Sequence, residues 1–494
     1  MSSNNSSSNN SSSNNPSVSN RAINELDAVA QAELVRSGDA SPSELVEAAI
    51  ARIDEVNPVL NAVIHDLRER ARAEAADPAL PDGAFRGVPF VVKDLDGPLG
   101  GAPYHNGNKL LKELGYIAPT DSTLVAKMRA AGMIAIGKTN TPEFGLQPTT
   151  EPEAYGPTHN PWSLAHGPGG SSGGSGAAVA AGMVAVGHAG DGGGSIRIPA
   201  SANGLVGLKA SRGRISLGPD EGEPWNGFVM RGVLTRSVRD SGALLDVIAG
   251  AVPGDPYAAP SRHGSYANAV TTDPGSLRIG ILTSAPSAMC ETHPDCVAAT
   301  EEAGRMLESL GHRVEVSSPD ALAEDLLTNF LTILSTNVAA DLDEIADIAG
   351  RAVTAADVEA ITWSYAEMGR AITGVQVQAS LRSIHAWTRR MLSWWDEFDL
   401  LLTPTLAEPP PLLGDLARPD DPGTAAARAT PFVAYCAPFN VTGQPAISVP
   451  TNISPSGLPI GIQLVSGAWR EDLLLSVAGQ LEQAMPWAQR RPSL

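Results

Sequence analysis

Short apolar runs that alternate with helical patterns constrain the fold of this chain most strongly. Strands buried in a sheet with helices on both faces read as near-continuous apolar segments rather than as alternating ones. Runs of this kind are Val88–Val92, Met133–Ile136, Leu205–Leu208 and Leu277–Leu282, and L-L-L-T-P, A-I-S-V-P and I-G-I-Q-L-V follow later in the chain. The sequence therefore predicts an α/β sheet covered by helices on both faces.

Helix signals lie near both ends of the chain and once between the strand-bearing segments. S-P-S-E at Ser41–Glu44 has the residues of a capping box with proline at the first helical position, and predicts a helix to about Val56. Arg470–Glu482 has the periodicity of a final amphipathic helix. Residues 319–398 are helix-rich and lie between strand-bearing halves, so we expect a helical cap within one domain over residues 21–494. Residues 1–20, rich in Ser and Asn, are expected to be a disordered tail or linker.

Composition narrows the class of partner. A net charge of −20 disfavours binding to nucleic acid or to an anionic membrane, both of which require clustered Lys and Arg. The three cysteines, Cys290, Cys296 and Cys436, form no C-x-x-C pair and have no zinc-site spacing, so we expect no metal and no cofactor. We also find no secretory leader and no run of about twenty apolar residues. These features favour a cytoplasmic protein that acts on a small, mostly neutral molecule.

Two glycine-rich segments are candidates for chemistry. One is G-G-S-S-G-G-S at Gly169–Ser175, and the other is H-A-G-D-G-G-G-S-I-R-I-P at His188–Pro199. Neither has the G-x-G-x-x-G spacing or the following G-K-S or G-K-T of a nucleotide-binding loop. Gly169–Gly173 matches the G-x-S-x-G elbow of serine hydrolases literally, although that short pattern is weak in a glycine-rich stretch. A serine paired with a lysine base is the third possibility.

A lysine can act as a base only where burial destabilises its ammonium form. The chain has six lysines, and three of them, Lys93, Lys138 and Lys209, each end an apolar run, where a strand would carry them inward. None belongs to an S-x-x-K motif, which excludes the penicillin-recognising arrangement. The residues alone leave these three lysines open as candidates, with a buried ion pair at a strand end as the structural alternative.

The two segments and their surroundings resemble a known family. The runs G-P-G-G-S-S-G-G-S-G-A-A-V-A-A-G, G-D-G-G-G-S-I-R-I-P-A-S and G-L-V-G-L-K-A-S-R-G-R-I-S are similar to the signature of the amidase signature hydrolases. G-V-P-F-V-V-K-D-L, G-K-T-N-T-P-E-F-G and P-F-N-V-T-G-Q-P-A-I-S-V-P also look like segments of that family, and the likeness extends from about Ile23 to the C-terminus. It implies the amidase signature fold, with a large mixed twisted sheet, and amide hydrolysis through an acyl-enzyme.

The resemblance also implies a catalytic set of two serines and one lysine. Ser195 matches the nucleophile, Ser171 matches a second serine that follows a cis peptide bond, and Lys93 matches the base. Lys138 and Lys209 fall on segments that the family uses as scaffold.

Further roles follow from the same match. Gly192, Gly193 and Gly194 are expected to donate N–H groups to the oxyanion of the tetrahedral intermediate. Asp191 and Arg197 are expected to brace this loop through hydrogen bonds or an ion pair, with Ser172 as a further supporting residue. One feature departs from the family, which usually has threonine on both sides of the aspartate where this chain has Gly190 and Gly192. We expect this difference to make the loop more flexible or to admit a wider acyl group.

Other segments narrow the comparison within the family. T-T-E-P-E-A-Y-G, the N-P-W that follows and the C-terminal P-W-A-Q-R-R-P are most similar to the nylon-oligomer hydrolases of the family. This likeness implies a fairly apolar linear or cyclic amide, an aryl amide or a carbamate as substrate, with Leu146 expected in the pocket, and it suggests a homodimer. The alternative is an amidotransferase subunit that hydrolyses glutamine to supply ammonia to a tRNA-binding partner.

Overall fold

The computed structural model describes residues 19–261, 264–286 and 290–494. The expected tail therefore lies almost wholly outside the described residues, and Ser19 caps a helix that begins at Asn20. The helices are α1 Asn20–Glu25, α2 Ala28–Ser37, α3 Pro42–Leu60, α4 Arg68–Ala76, α5 Lys109–Leu114, α6 Thr123–Ala130, α7 Gly173–Ala180, α8 Arg197–Asn203, α9 Val238–Ile248, α10 Tyr266–Ala269, α11 Pro294–Ser309, α12 Leu327–Ala349, α13 Ala360–Ala371, α14 Gly374–Leu392, α15 Pro422–Arg428, α16 Thr430–Val433, α17 Ala437–Thr442 and α18 Glu471–Ala484.

Eleven strands among the described residues form one mixed sheet. They are β1 Val63–Asp66, β2 Pro89–Lys93, β3 Ile134–Thr139, β4 Val186–Asp191, β5 Val206–Lys209, β6 Met230–Thr235, β7 Arg278–Ile281, β8 Arg313–Val316, β9 Leu400–Pro404, β10 Ala446–Ile453 and β11 Pro459–Ser466. Their order across the sheet is β1-β3-β2-β4-β6-β5-β10-β11-β9-β7-β8. Strands β3, β2 and β4 run parallel to one another, as do β9, β7 and β8, while the strands between β4 and β9 pair antiparallel.

Both faces of the sheet are buried at its interior strands, and helices cover them, which confirms the α/β prediction. On β2, Phe90 and Val92 belong to one apolar cluster while Val91 between them belongs to another. Because successive side chains of a strand point to opposite faces, each face of β2 packs into its own core. The apolar runs recognised in the sequence became β2, β3, β5 and β7 with shifts of a few residues.

The predicted helices also formed. The Ser41 capping box starts α3, which continues to Leu60, four residues beyond the expected end. The helix-rich stretch contains α12, α13 and α14. Helix α12 brings Phe330 against Trp225, with the two rings in an edge-to-face contact at 6.5 Å. None of the helices among the described residues is both long and apolar enough to cross a bilayer.

The topology gathers the glycine-rich segments at one edge of the sheet. Strands β2 and β4 are parallel neighbours, so their carboxyl ends, Lys93 and Asp191, lie at the same edge. The loop that carries Ser195 follows β4 directly, and Ser171 precedes α7, which packs against β4. Candidate residues from three separate parts of the chain therefore meet there.

Candidate active site

Lys93 is the last residue of β2 and lies at this end of the sheet. Its side chain is fully buried, and Nζ donates hydrogen bonds to Ser171 Oγ at 2.8 Å and to Asp96 Oδ2 at 3.2 Å. Burial lowers the pKa of Lys93 from its ordinary value, and the nearby Asp96 carboxylate opposes this shift. Lowering the pKa increases the fraction of neutral amine, which is the form that can accept a proton.

Ser171 is buried and is joined to Gly170 by a cis peptide bond, the conformation that the family resemblance implies. Glycine is required at position 170 because a Cβ there would overlap the backbone of Thr149. The next residue, Ser172, accepts a hydrogen bond from Gly190 N–H and donates one to Gly190 C=O, both at 3.3 Å. Ser172 thus ties the Ser171 segment to the end of β4. The hydroxyl of Ser171 contacts a lysine rather than the histidine of a G-x-S-x-G hydrolase.

Ser195 is partly exposed at the end of the glycine loop. The N–H of Gly194 donates to Asp191 Oδ1 at 2.7 Å and is therefore already used inside the loop. Within the described part of the chain, the N–H groups of Gly192, Gly193 and Ser195 have no protein acceptor. Gly194 has another reason to be glycine, since its φ is +132° and a Cβ would lie 2.7 Å from Cys436 Cβ.

The ion pair of Asp191 and Arg197 supports this loop. Arg197 donates from Nε and from one terminal nitrogen to the two carboxylate oxygens of Asp191, each at 2.9 Å, and both side chains are fully buried. The guanidinium also donates to Gln463 Oε1 at 2.7 Å and to Asn440 Oδ1 at 2.6 Å. Burial raises the pKa of Asp191, but the Arg197 charge outweighs burial and holds it at about 2. A charged, fully hydrogen-bonded pair therefore holds the loop that carries Ser195.

Arg197→Met is expected to lower the free energy of unfolding by roughly 3–5 kcal/mol, because it leaves the buried Asp191 carboxylate without its counter-charge. Urea denaturation at pH 7 measures this loss, with Arg305→Met at an exposed position as the control. The folded pKa of Asp191 lies below its unfolded value of about 3.9, so the contribution of the pair is present above that value and disappears as the pH falls towards 2. A variant as stable as wild type would contradict a bracing role for Arg197.

The space beside Gly190 and Gly192, where the family usually has threonine, is occupied. A Cβ on Gly190 would collide with the Asp96 carboxylate, and a Cβ on Gly192 would lie 2.9 Å from Cζ3 of Trp225. Side chains from other segments therefore occupy the volumes that side chains at positions 190 and 192 would fill. Neither Asp96 nor Trp225 was identified from the sequence; the only signal was the missing threonines.

An apolar wall lies beside the loop. Trp225 and Phe330 pack with Leu146 against the cluster around Phe144 and Leu334. The ring of Phe330 also lies 3.8 Å from the Cβ position of Gly193. Leu146 follows Gly145, whose Cβ position is 3.0 Å from Ser171 Oγ. The wall therefore adjoins the loop of Ser195 and the segment of Ser171.

The other two candidate lysines have structural partners. Lys138 donates to Asp94 Oδ1 at 2.9 Å, and Lys209 donates to Gln444 C=O. Asp94 also lies with His65 and His105 in the one group of three potential metal ligands found among the described residues. Because the Lys138 ammonium already holds this carboxylate, the group is a buried ion-pair network and not a ready set of metal ligands.

Comparison with known proteins agrees with this geometry. Residues 44–475 match the Amidase family, so the chain belongs to the amidase signature family and is an amidase. It is 45% identical over 481 residues to the 6-aminohexanoate-cyclic-dimer hydrolase of Pseudomonas sp. (strain NK87), covering 95% of this chain and 96% of that protein. Both the family resemblance and the likeness to the nylon-oligomer subgroup are thereby confirmed.

Solved structures give the same result for the fold. The structure of 6-aminohexanoate cyclic dimer hydrolase complexed with substrate has a TM-score of 0.92 and 44% identity, over 95% of this chain and 99% of that one. A bacterial aryl acylamidase of the amidase signature family has a TM-score of 0.86 and 28% identity, over 94% of this chain and 98% of that one. The predicted amidase signature fold is therefore confirmed.

Proposed function

We propose that this amidase hydrolyses a small, fairly apolar linear or cyclic amide through an acyl-enzyme on Ser195. The observation that carries the proposal is the 2.8 Å hydrogen bond from the buried Nζ of Lys93 to Ser171 Oγ, next to the loop of Ser195. A serine hydroxyl is too weakly acidic to attack an amide unaided and needs a base. Lys93 is that base, and Ser171 relays the proton to it.

The reaction proceeds in two halves. Ser195 Oγ attacks the carbonyl carbon while its proton passes to Ser171 Oγ and the Ser171 proton passes to the neutral Nζ of Lys93. Collapse of the tetrahedral intermediate breaks the C–N bond as a proton returns through Ser171 to the departing amine. Water then attacks the acyl-enzyme by the same proton route, which releases the carboxylic acid and restores Ser195.

The oxyanion is held by backbone N–H groups of the glycine loop. Gly192, Gly193 and Ser195 supply the donors, since their N–H groups have no other acceptor among the described residues. Gly194 instead fixes the loop through its hydrogen bond to Asp191. Each donor contributes roughly 2.7–4 kcal/mol to transition-state stabilisation.

The substrate class follows from the apolar wall and from the relatives. Trp225, Phe330 and Leu146 offer hydrocarbon surface beside the nucleophile, which suits the methylene chain of a nylon oligomer, an aryl amide or a carbamate. The relative at 45% identity is named as a hydrolase of the 6-aminohexanoate cyclic dimer, and this compound belongs to the class. We further propose that the enzyme works in the cytoplasm as a homodimer.

A substrate panel tests the proposal. We expect the purified protein to hydrolyse the cyclic 6-aminohexanoate dimer, apolar anilides or aryl carbamates, and to turn over glutamine at least 100-fold more slowly by kcat/KM. Product amine measured by liquid chromatography gives the rates. Turnover of glutamine alone would contradict the proposal and favour the ammonia-supplying subunit.

A further inference from the structure

Asp96 lies three residues beyond Lys93, in a position that the family signature does not explain. Its backbone is left-handed, with φ of +64°, a conformation in which aspartate is among the few non-glycine residues found. Its carboxylate accepts the 3.2 Å hydrogen bond from Lys93 Nζ, and its side chain is 15% exposed. The chain thus turns back directly after β2 to bring an anion against the lysine.

The space for this carboxylate exists because position 190 is glycine. A Cβ on Gly190 would collide with Asp96 Oδ2. The neighbouring Gly97 is equally constrained, since its Cβ would lie 2.7 Å from Val92 Cγ1 and from the His188 ring. The Asp96 carboxylate is therefore matched to glycine at position 190, and the turn that carries Asp96 is packed closely against β2 and β4 at Gly97.

Resting on the proposed function, we propose that Asp96 is a positioning residue for the base: its carboxylate holds Lys93 Nζ against Ser171 Oγ and sets the pH range in which Lys93 can accept a proton. When charged, Lys93 Nζ can donate three hydrogen bonds, and Asp96 and Ser171 accept two of them. The same carboxylate stabilises the ammonium that forms when Ser171 passes on its proton.

Other charged and titratable groups also face this pair. From the elements packed around Lys93 and Asp96 they are Asp191 and His188 on β4, Arg231 on β6, Lys138 on β3, and Tyr104, Glu221 and Asp341 further out.

Their charges leave Asp96 as the decisive neighbour. Asp191 is ion-paired with Arg197 and raises the pKa of Lys93 less than Asp96 does, and Arg231 is paired with Glu221. Burial lowers the pKa of His188 to about 3, so this ring is neutral at physiological pH. Asp96 is the one carboxylate within hydrogen-bond distance of Lys93 Nζ among the described residues.

Asp96→Asn tests this proposal, because it removes the negative charge of the side chain and keeps its shape. In Asp96→Asn the pKa of Lys93 is expected to fall by roughly one to three units, since a nearby opposite charge shifts a pKa by that amount. The acid limb of kcat/KM against pH should move to lower pH by the same shift. Asp82→Asn, the same change at an exposed position, is the control and should leave the limb in place.

A second measurement does not depend on turnover. Lysine labelled with ¹³C at Cε gives one NMR signal for each of the six lysines, and the Lys93 signal is identified by its loss in Lys93→Met. Its titration is compared in wild type and Asp96→Asn. An unchanged Lys93 titration would overturn the inference even if the enzyme hydrolyses amides, whereas a shifted titration without hydrolysis would support it while the proposed function fails.

Gly190→Ala tests whether glycine at position 190 is needed to make room for the Asp96 carboxylate. In wild type the added Cβ displaces the Asp96 carboxylate and should shift the acid limb to lower pH, as Asp96→Asn does. In an Asp96→Ala background, where the space is empty, the same substitution should leave the limb where Asp96→Ala alone places it. Equal shifts in both backgrounds would overturn the proposed match between Gly190 and Asp96.

Discussion

Ser195→Ala is expected to lower kcat for amide hydrolysis by about 10⁵ to 10⁶-fold, because it removes the atom that forms the acyl-enzyme. Binding and the oxyanion donors remain, so the residual rate should still exceed that in water. Release of amine from the preferred substrate of the panel measures the loss. Ser195 is partly exposed whereas Ser171 is buried, which is consistent with this role.

A covalent probe tests the same assignment without a substrate. A fluorophosphonate should modify Ser195 in wild type, as seen by peptide mass spectrometry, and should leave Ser195→Ala unmodified. Ser43→Ala, on the exposed face of α3, is the matched control and should keep full activity and labelling. Activity above a few per cent in Ser195→Ala, or a label on Ser171, would remove Ser195 from the role of nucleophile.

Lys93→Met is expected to lower kcat by about 10²- to 10⁴-fold, the range that a positioned base contributes. Methionine fills a similar buried volume without the amine, so the loss reports the base and not a cavity. In wild type the rate should rise with pH as Lys93 loses its proton, and burial, which lowers the pKa of this lysine, places the rise below the usual range for lysine.

The rise should be absent in Lys93→Met, and kcat measured from pH 6 to pH 10 provides the comparison. Lys109→Met, which removes a partly exposed lysine paired with Glu153, serves as the control. Thermal unfolding followed by circular dichroism separates loss of the base from loss of the fold. A folded Lys93→Met variant with wild-type activity would assign the base to another group.

Local pattern was enough for the framework of this protein. A strand buried on both faces must be apolar along its whole length, so β2, β3, β5 and β7 could be recognised from short runs. The capping box at Ser41 is a contact within four residues, and the structure contains it. Helix α3 continues through Pro58 to Leu60, beyond the expected end near Val56, and Asn61 caps it in a left-handed conformation.

The sequence by itself determined the class of protein, since the signature around Ser171 and Ser195 is a local arrangement of glycine and serine that can be read along the chain. The residues alone left Lys93, Lys138 and Lys209 open as the base, and the family resemblance selected Lys93. Only the tertiary structure decided which groups share one volume. The hydrogen bonds that direct Lys93, the use of Gly194 N–H by Asp191, and the filling of the space beside Gly190 and Gly192 all join distant segments. Packing at van der Waals distance depends on loop conformations such as that of Asp96, which no local pattern specifies.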